Sequence, residues 1–288
     1  MNILISVNES YFDKAETMLF SLRRNTHEAI EVFMVNHSLN AEYIDSFDEF
    51  LKRNKMKLHI VDVNSSVFDN MTLGDSHFSI EMYYRIIAQF ILPKDLERIL
   101  WLDADIIINK DLKDFYFQDF DNNALIACPD AKHNSEMVSA IKKKIGLSKE
   151  HIYFNSGVLL LNLSYLRDNT NMENIISISN ELNDRLTYPD QDILNYLYSG
   201  KIKYCDWEKY NFQIIEMECA NKKMLKKAVV LHYTGPRKPW SFRDANSLSK
   251  YYWKYEILRG KAWQVILCYI KSKLYIIKVK LRDLHIIK

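Results

Sequence analysis

Two carboxylates, Asp103 and Asp105, interrupt an otherwise apolar run, Arg98–Asn109 (RILWLDADIIIN). Burying an unpaired charge is costly, so acids in such a setting need a partner. In an extended segment residues two apart share a side. The two acids are therefore expected to point the same way, with the small Ala104 opposite. Converging carboxylates at the end of a buried strand offer hard oxygen ligands to a divalent cation. A bare Asp-x-Asp is also common among solvated turn residues, so its meaning depends on the rest of the chain.

The strand that must carry these acids, residues 98–102, reads as buried on both faces. Ahead of it, strands and helices alternate. Asn2–Val7 is a strand, Asn8–Tyr11 a polar turn, and Met18, Leu19 and Leu22 suit the helix that follows. Ile30–Val35 and Leu58–Val63 read as strands, with Ala41–Asn54 as the helix between them. Ser79–Leu92 looks helical, carries Arg85 and is closed by Pro93. This alternation predicts an α/β fold with an open, mixed but mostly parallel sheet. Such sheets bind ligands beyond the carboxyl ends of their strands, where Asn8–Tyr11 and Asp103–Asp105 both fall. Further on, a strand at Ala124–Cys128 leads to Asp130, and Tyr153–Gly157 (YFNSG) precedes the apolar strand Val158–Leu163. A helical stretch covers Asn174–Leu186. Tyr188–Asn195 (YPDQDILN) opens a helix with Ile193, Leu194 and Leu197 on its apolar face. Val229–Tyr233 is a late strand, running into Thr234-Gly235 and then Pro236–Trp240 (PRKPW).

The totals narrow the classes. A chain of 288 residues, 48% hydrophobic and 26% charged, can bury a sizeable core as a soluble protein. A formal net charge of +2 gives no whole-chain case for nucleic-acid binding. The charge is unevenly spread: seven Lys/Arg face one Asp from Gly260 onward, leaving 32 basic and 36 acidic residues before it. Cys128, Cys205, Cys219 and Cys268 are scattered, which argues against a disulfide framework or a zinc knuckle. Met1–Val7 lacks the basic start of a secretory signal, and no apolar run approaches the ~20 residues of a membrane span. A cytoplasmic setting is expected. Neither G-x-G-x-x-G nor G-x-x-x-x-G-K-[ST] occurs. A bound diphosphate would need other neutralisation, and a metal on the two aspartates would provide it.

Taken in order, DAD, FNSGVLLLN, DQDILN and HYTGPRKPW resemble the family-8 retaining glycosyltransferases, which include bacterial lipopolysaccharide galactosyltransferases and glycogenin. The likeness covers about the first 245 residues. It implies a single GT-A-like domain, residues 1–259, that uses a UDP-sugar, commonly UDP-galactose or UDP-glucose, with Mn²⁺ or alternatively Mg²⁺. By its motifs Asp103, Asp105 and His232 resemble the metal ligands. Lys238 and the Gly235 backbone match diphosphate contacts, and Asn8 and Tyr11 match positions that hold uracil or ribose. The bacterial galactosyltransferase pattern has Asp where Asn8 stands; Asn keeps one acceptor oxygen. Arg85, Ala104 through its backbone, Asp130, Asn155, Asp190 and Gln191 match residues around the donor sugar, with Gln191 near the reacting face. Plainer roles stand beside these. Tyr11 could pack, Arg85 pair with an acid, Asn155 cap a turn, Asp190 cap its helix, and His232 close a strand.

The tail, residues 260–288, mixes Trp263, Tyr269, Ile270, Leu274, Ile277 and Leu281 with Lys271, Lys273, Lys278, Lys280 and Arg282. A basic amphipathic helix with an aromatic anchor suits the anionic inner face of a membrane, and packing on protein is the alternative. The acceptor implied is a glycan or glycoconjugate hydroxyl. Two rival classes are a non-catalytic nucleotide-sugar-binding protein and a metal-dependent nucleotidyltransferase. The latter would carry a Gly-rich basic loop where this chain has Asn8–Tyr11.

Overall fold

Ile3, Leu4 and Ile5 are almost wholly buried and form the centre of β1 (Asn2–Ser6). The strands that follow are β2 (Ile30–Asn36), β3 (Met56–Asp62), β4 (Arg98–Leu102), β5 (Ile106–Ile108) and β6 (Leu125–Pro129). After them come β7 (Phe154–Asn162), β8 (Ile202–Tyr204), β9 (Phe212–Gln213) and β10 (Val230–His232). The structure is a computed structural model that describes residues 1–36, 39–71, 80–214 and 222–283. Among these residues one sheet has the order β3-β2-β1-β4-β7-β6-β8 and a second has β5-β10-β9. In the larger sheet β7 runs antiparallel to β4 and β6, and the other pairs are parallel. The α/β class and the mixed, mostly parallel sheet are as expected.

Helices cover both faces. Met18, Leu19 and Leu22 of the Phe12–Asn25 helix pack with Ile3 and Ile5, and so do Phe47 and Leu51 of the Ala41–Arg53 helix. The opposite face carries Leu163 and Leu166, Ile175, and Ile193 and Leu194 from three later helices. Apolar side chains spaced three or four apart give each helix one stripe to bury. Asn40, Ser135, Asn162 and Asn171 each cap a helix by accepting the N–H three residues on.

Three departures from the expected elements shape the site. Ser79–Leu92 is not one helix. Ile80–Arg85 is a 3₁₀ turn and Ala88–Ile91 a single α turn, while Ser79 lies outside the described residues. Tyr83 through Ala88 are all buried, so the segment has no polar face for a surface helix. Its tighter winding turns Arg85 inward, with Nε on the Met82 carbonyl at 3.0 Å. Secondly, the strand expected at Val158–Leu163 starts at Phe154. Its pairing with β6 shifts near Cys128 and Asn155, and Asn155, Ser156 and Gly157 therefore belong to the sheet. Thirdly, β5, β9 and β10 make a separate small sheet, although Ile106 reads as a mere resumption of apolar residues. The stretch expected as Asn174–Leu186 is an α-helix over Met172–Leu182 and a 3₁₀ turn over Asn183–Arg185.

The tail is a helix over Ala262–Asp283. It rests on the loop after β10: Cys268 Sγ lies 3.7 Å from the Trp240 carbonyl, and Tyr275 meets Phe242 edge-on with centroids 5.9 Å apart. Among the described residues no helix is long and apolar enough to cross a membrane. Residues 284–288 of the tail, and Cys219, lie outside the described residues.

Candidate active site

The chain passes from the large sheet to the small one through Asp103-Ala104-Asp105, the turn between β4 and β5. This corrects the expectation of an extended segment with alternating side chains. The two acids converge because the turn and its neighbours hold them. Asp103 donates its N–H to the Gly157 carbonyl at 3.0 Å, and Tyr233 donates its N–H to the Asp105 carbonyl at 2.9 Å. Antiparallel pairing sets His232 opposite Ile106. Backbone register thus delivers an imidazole to the residue following the acids.

His232 Nε2 lies 3.2 Å from Asp105 Oδ1 and 3.9 Å from Asp103 Oδ2. One donor atom from each of the three residues falls within 4.8 Å of the others. Two carboxylates and an imidazole form a donor set suited to a divalent cation such as Mn²⁺. The space fits as well: a Cβ on Gly157 would stand 2.3 Å from His232 Cε1 and 2.7 Å from Asp103 Oδ2, so only glycine leaves the cradle open. Burial pushes the Asp105 carboxyl up, but the charges and hydrogen bonds of His232 and Lys238 outweigh it and hold it well below the usual carboxylate range. Lys238 Nζ lies 2.5 Å from Asp105 Oδ2 and 2.8 Å from the Tyr233 carbonyl. Its ammonium neutralises the acid.

Because β7 is antiparallel, it brings its beginning to the edge where β1, β4 and β6 end. Arg85, buried with its guanidinium centre 4.3 Å from the Trp101 ring centroid, ties this edge together. It reaches Asp103 Oδ1 at 3.0 Å, Asp190 Oδ2 at 3.3 Å and the Ser156 carbonyl at 2.8 Å. Asp190 lies in the first turn of the Pro189–Leu197 helix and also accepts the Ser156 hydroxyl at 2.8 Å. Burial raises its carboxyl above the usual value, and Arg85 and Ser156 offset part of this. Gln191 Oε1 accepts Asn155 Nδ2 and the Ser156 N–H, both at 3.0 Å.

Two adjoining clefts meet here. One, of about 470 Å³, is lined by Asp130, Asn155, Asp190, Gln191, His232 and Gly235. The other, of about 420 Å³, is lined by Asn8, Tyr11 and Ala104. Arg85, Asp103 and Asp105 line both. Gly235 takes a positive φ of 73° in the turn after β10, a conformation that favours glycine. The Asn8 oxygen is engaged by its own turn, accepting Ser10 N–H at 3.1 Å and Ser10 Oγ at 2.7 Å. Tyr11 is 37% exposed and meets Trp240 edge-on with centroids 6.0 Å apart. Asp130 Oδ1 accepts the Lys132 N–H at 2.9 Å. Sequence reasoning passed over Asn211, which accepts from His232 Nδ1 at 2.8 Å, and Trp101, whose Nε1 donates to Asp103 at 2.8 Å. Neither stands at a telling spacing. Ser156 and Gly157 sit inside the FNSG motif and could have been singled out there.

A mixed α/β sheet with acids and an imidazole at the exit of its fourth strand defines a GT-A-like transferase fold. The profile of Glycosyl transferase family 8 matches residues 2–244, and the chain belongs to that family of glycosyltransferases. The Lipopolysaccharide 1,2-glucosyltransferase of Escherichia coli K12 is 25% identical over 261 residues, covering 88% of this chain and 76% of its own length. The structure of the galactosyltransferase LgtC with donor and acceptor sugar analogs superposes with a TM-score of 0.76 at 24% identity, covering 91% of this chain and all of LgtC. The apo glycosyltransferase GlyE of Streptococcus pneumoniae TIGR4 gives a TM-score of 0.65 at 19% identity, covering 96% of this chain and 63% of GlyE.

Proposed function

We propose that this glycosyltransferase moves a hexose, galactose or glucose, from a UDP-sugar to a hydroxyl of a glycan, lipid-linked or protein-linked acceptor. Asp103, Asp105 and His232 would hold Mn²⁺, or Mg²⁺ in its place. The observation that carries this reading is the meeting of those three side chains between two adjoining clefts, which we assign to a nucleoside and a sugar. The metal, when bound, offsets charge that develops on the departing diphosphate. Asn8 and Tyr11 face the uracil and ribose, and the Ala104 backbone lines the same cleft. Lys238 exchanges Asp105 for the diphosphate, beside the Gly235 backbone. Arg85, Asp130, Asn155, Asp190 and Gln191 surround the transferred sugar.

Retention of the anomeric configuration follows by front-face attack, in which a leaving-group phosphate oxygen takes the acceptor proton. Gln191 positions the sugar, and an amide is a poor nucleophile. The Asp190 carboxylate is already engaged by Arg85 and Ser156. A glycosyl adduct trapped on Asp190 during turnover would overturn this route.

The deciding experiment offers UDP-Glc, UDP-Gal, UDP-GlcNAc and UDP-GalNAc with Mn²⁺ and measures UDP release. Release from one of the first two is expected, and silence from all four overturns the reading. Calorimetry adds a second arm. Asp103→Asn with Asp105→Asn is expected to abolish the EDTA-sensitive part of UDP binding. We also propose that residues 261–288 lie on the anionic, cytoplasmic face of a membrane. Trp263, Leu274 and Ile277 are 67%, 61% and 54% exposed on the helix that carries Lys271, Lys273 and Lys278. Flotation with anionic liposomes should be lost in a chain ending at Gly260.

A further inference from the structure

Asn211 is fully buried at the junction between the Trp207–Tyr210 turn and β9. Its side chain bridges two residues of the site. Oδ1 lies 2.8 Å from His232 Nδ1, and Nδ2 lies 2.9 Å from Asn155 Oδ1. The direction of this amide chain is set by two donors that cannot reverse. The Gly157 N–H donates to Asn155 Oδ1 at 3.1 Å, and the Ser156 N–H donates to Gln191 Oε1 at 3.0 Å. Asn155 therefore turns its oxygen toward Asn211 and its Nδ2 toward Gln191. That oxygen can only accept, so Asn211 must present Nδ2 to it and Oδ1 to His232. His232 Nδ1 then carries a proton. In the uncharged ring the lone pair falls on Nε2, the atom that faces Asp105 and Asp103.

The geometry points to Asn211 as a positioning residue that selects the His232 tautomer, aims its lone pair at the cation, and links it through Asn155 to Gln191. This rests on the reading of His232 as a metal ligand. A metal-bound histidine generally donates its second ring N–H to a fixed acceptor, and loss of such an acceptor typically weakens metal binding about 10–100-fold. Two backbone N–H groups on β7 thus dictate, through the carboxamides of Gln191, Asn155 and Asn211, which imidazole nitrogen carries the proton.

Two measurements test it. Long-range ¹H–¹⁵N correlation of the His232 ring in metal-free protein should show the uncharged ring protonated on Nδ1. A proton on Nε2 overturns the inference whatever the variants do. Electron paramagnetic resonance of free Mn²⁺, with UDP present, then compares Asn211→Leu, Asn211→Asp and His232→Ala. Asn211→Leu should mix the tautomers and weaken Mn²⁺ binding about 10–100-fold. Asn211→Asp keeps an acceptor for Nδ1–H, so tautomer and Mn²⁺ affinity should hold. It loses the donor to Asn155, so kcat should fall without a matching change in Mn²⁺ affinity. Wild-type binding by Asn211→Leu overturns the inference, and so does an equal loss in Asn211→Asp. If His232→Ala binds Mn²⁺ normally, the metal-ligand reading fails instead, while the ring tautomer still decides the part played by Asn211. Should Asn211→Leu not fold, the wild-type ring and Asn211→Asp carry the test.

Discussion

The absence of one methyl group keeps the cradle around His232 open. Gly157→Ala would force a Cβ against His232 and Asp103. A displacement of this order should cost about 10²-fold in transfer rate, read by steady-state assay with a thermal melt confirming the fold. Arg85 poses the complementary case. Arg85→Ala leaves Asp190 buried without its cation, and breaking a buried pair costs about 3–5 kcal/mol. Chemical denaturation measures that loss. Arg85→Lys keeps a charge but has no fork to reach Asp103 and Asp190 together, so activity should fall with a smaller loss of stability. Asp190 carries a pH signature. Burial raises its folded pKa, so the native state holds the proton more tightly than the unfolded chain does. The penalty is fully present above the folded pKa and is relieved as pH falls toward the ordinary Asp value of about 3.9. Relative to Asp190→Asn, the wild type should therefore lose melting temperature as pH rises through that window.

Among the elements, Asn8 fixes a turn at the rim of the cleft. Its oxygen caps the Glu9–Tyr11 turn that presents Tyr11 to the cleft. Asn8→Ala should loosen Tyr11 and weaken UDP binding by calorimetry, whereas Asn8→Asp, which keeps the capping oxygen, should not. The parallel strands and their helices were legible because each buries one period of apolar residues. Residues 98–102 were read to the residue, since the apolar run ends at an acid. What stayed hidden were features set by pairing over long distances. The antiparallel sense of β7, which brings Asn155–Gly157 to the site, has no local signature. Neither does the register of β10 on β5, which carries His232 to Asp105. The 80–92 segment misled because Tyr83, Tyr84, Ile86 and Ile87 fit a helical period but are buried all round. The convergence of Asp103 and Asp105 was expected from strand alternation, yet a turn produces it.

At the scale of the whole molecule, the tail is more than an appendage. It touches the loop that carries Trp240 and Phe242, and Trp240 in turn meets Tyr11, with Lys238 Nζ 6.0 Å from its ring centroid. A chain ending at Gly260 should therefore bind UDP more weakly even without lipid, which calorimetry in detergent-free buffer would detect. The passage of the chain from one sheet to the other at Asp103-Ala104-Asp105 has a mechanical corollary. On the proposed reading each side of that joint would supply a ligand, and the imidazole arrives from well over a hundred residues later. An ion seated there would rivet the small sheet to the large one. Mn²⁺ with UDP, at about a hundredfold excess over Kd, should then add about 2.7 kcal/mol to a single cooperative unfolding step. Chelation should take that increment away, and a small sheet that melts separately would show as a second, ion-insensitive transition.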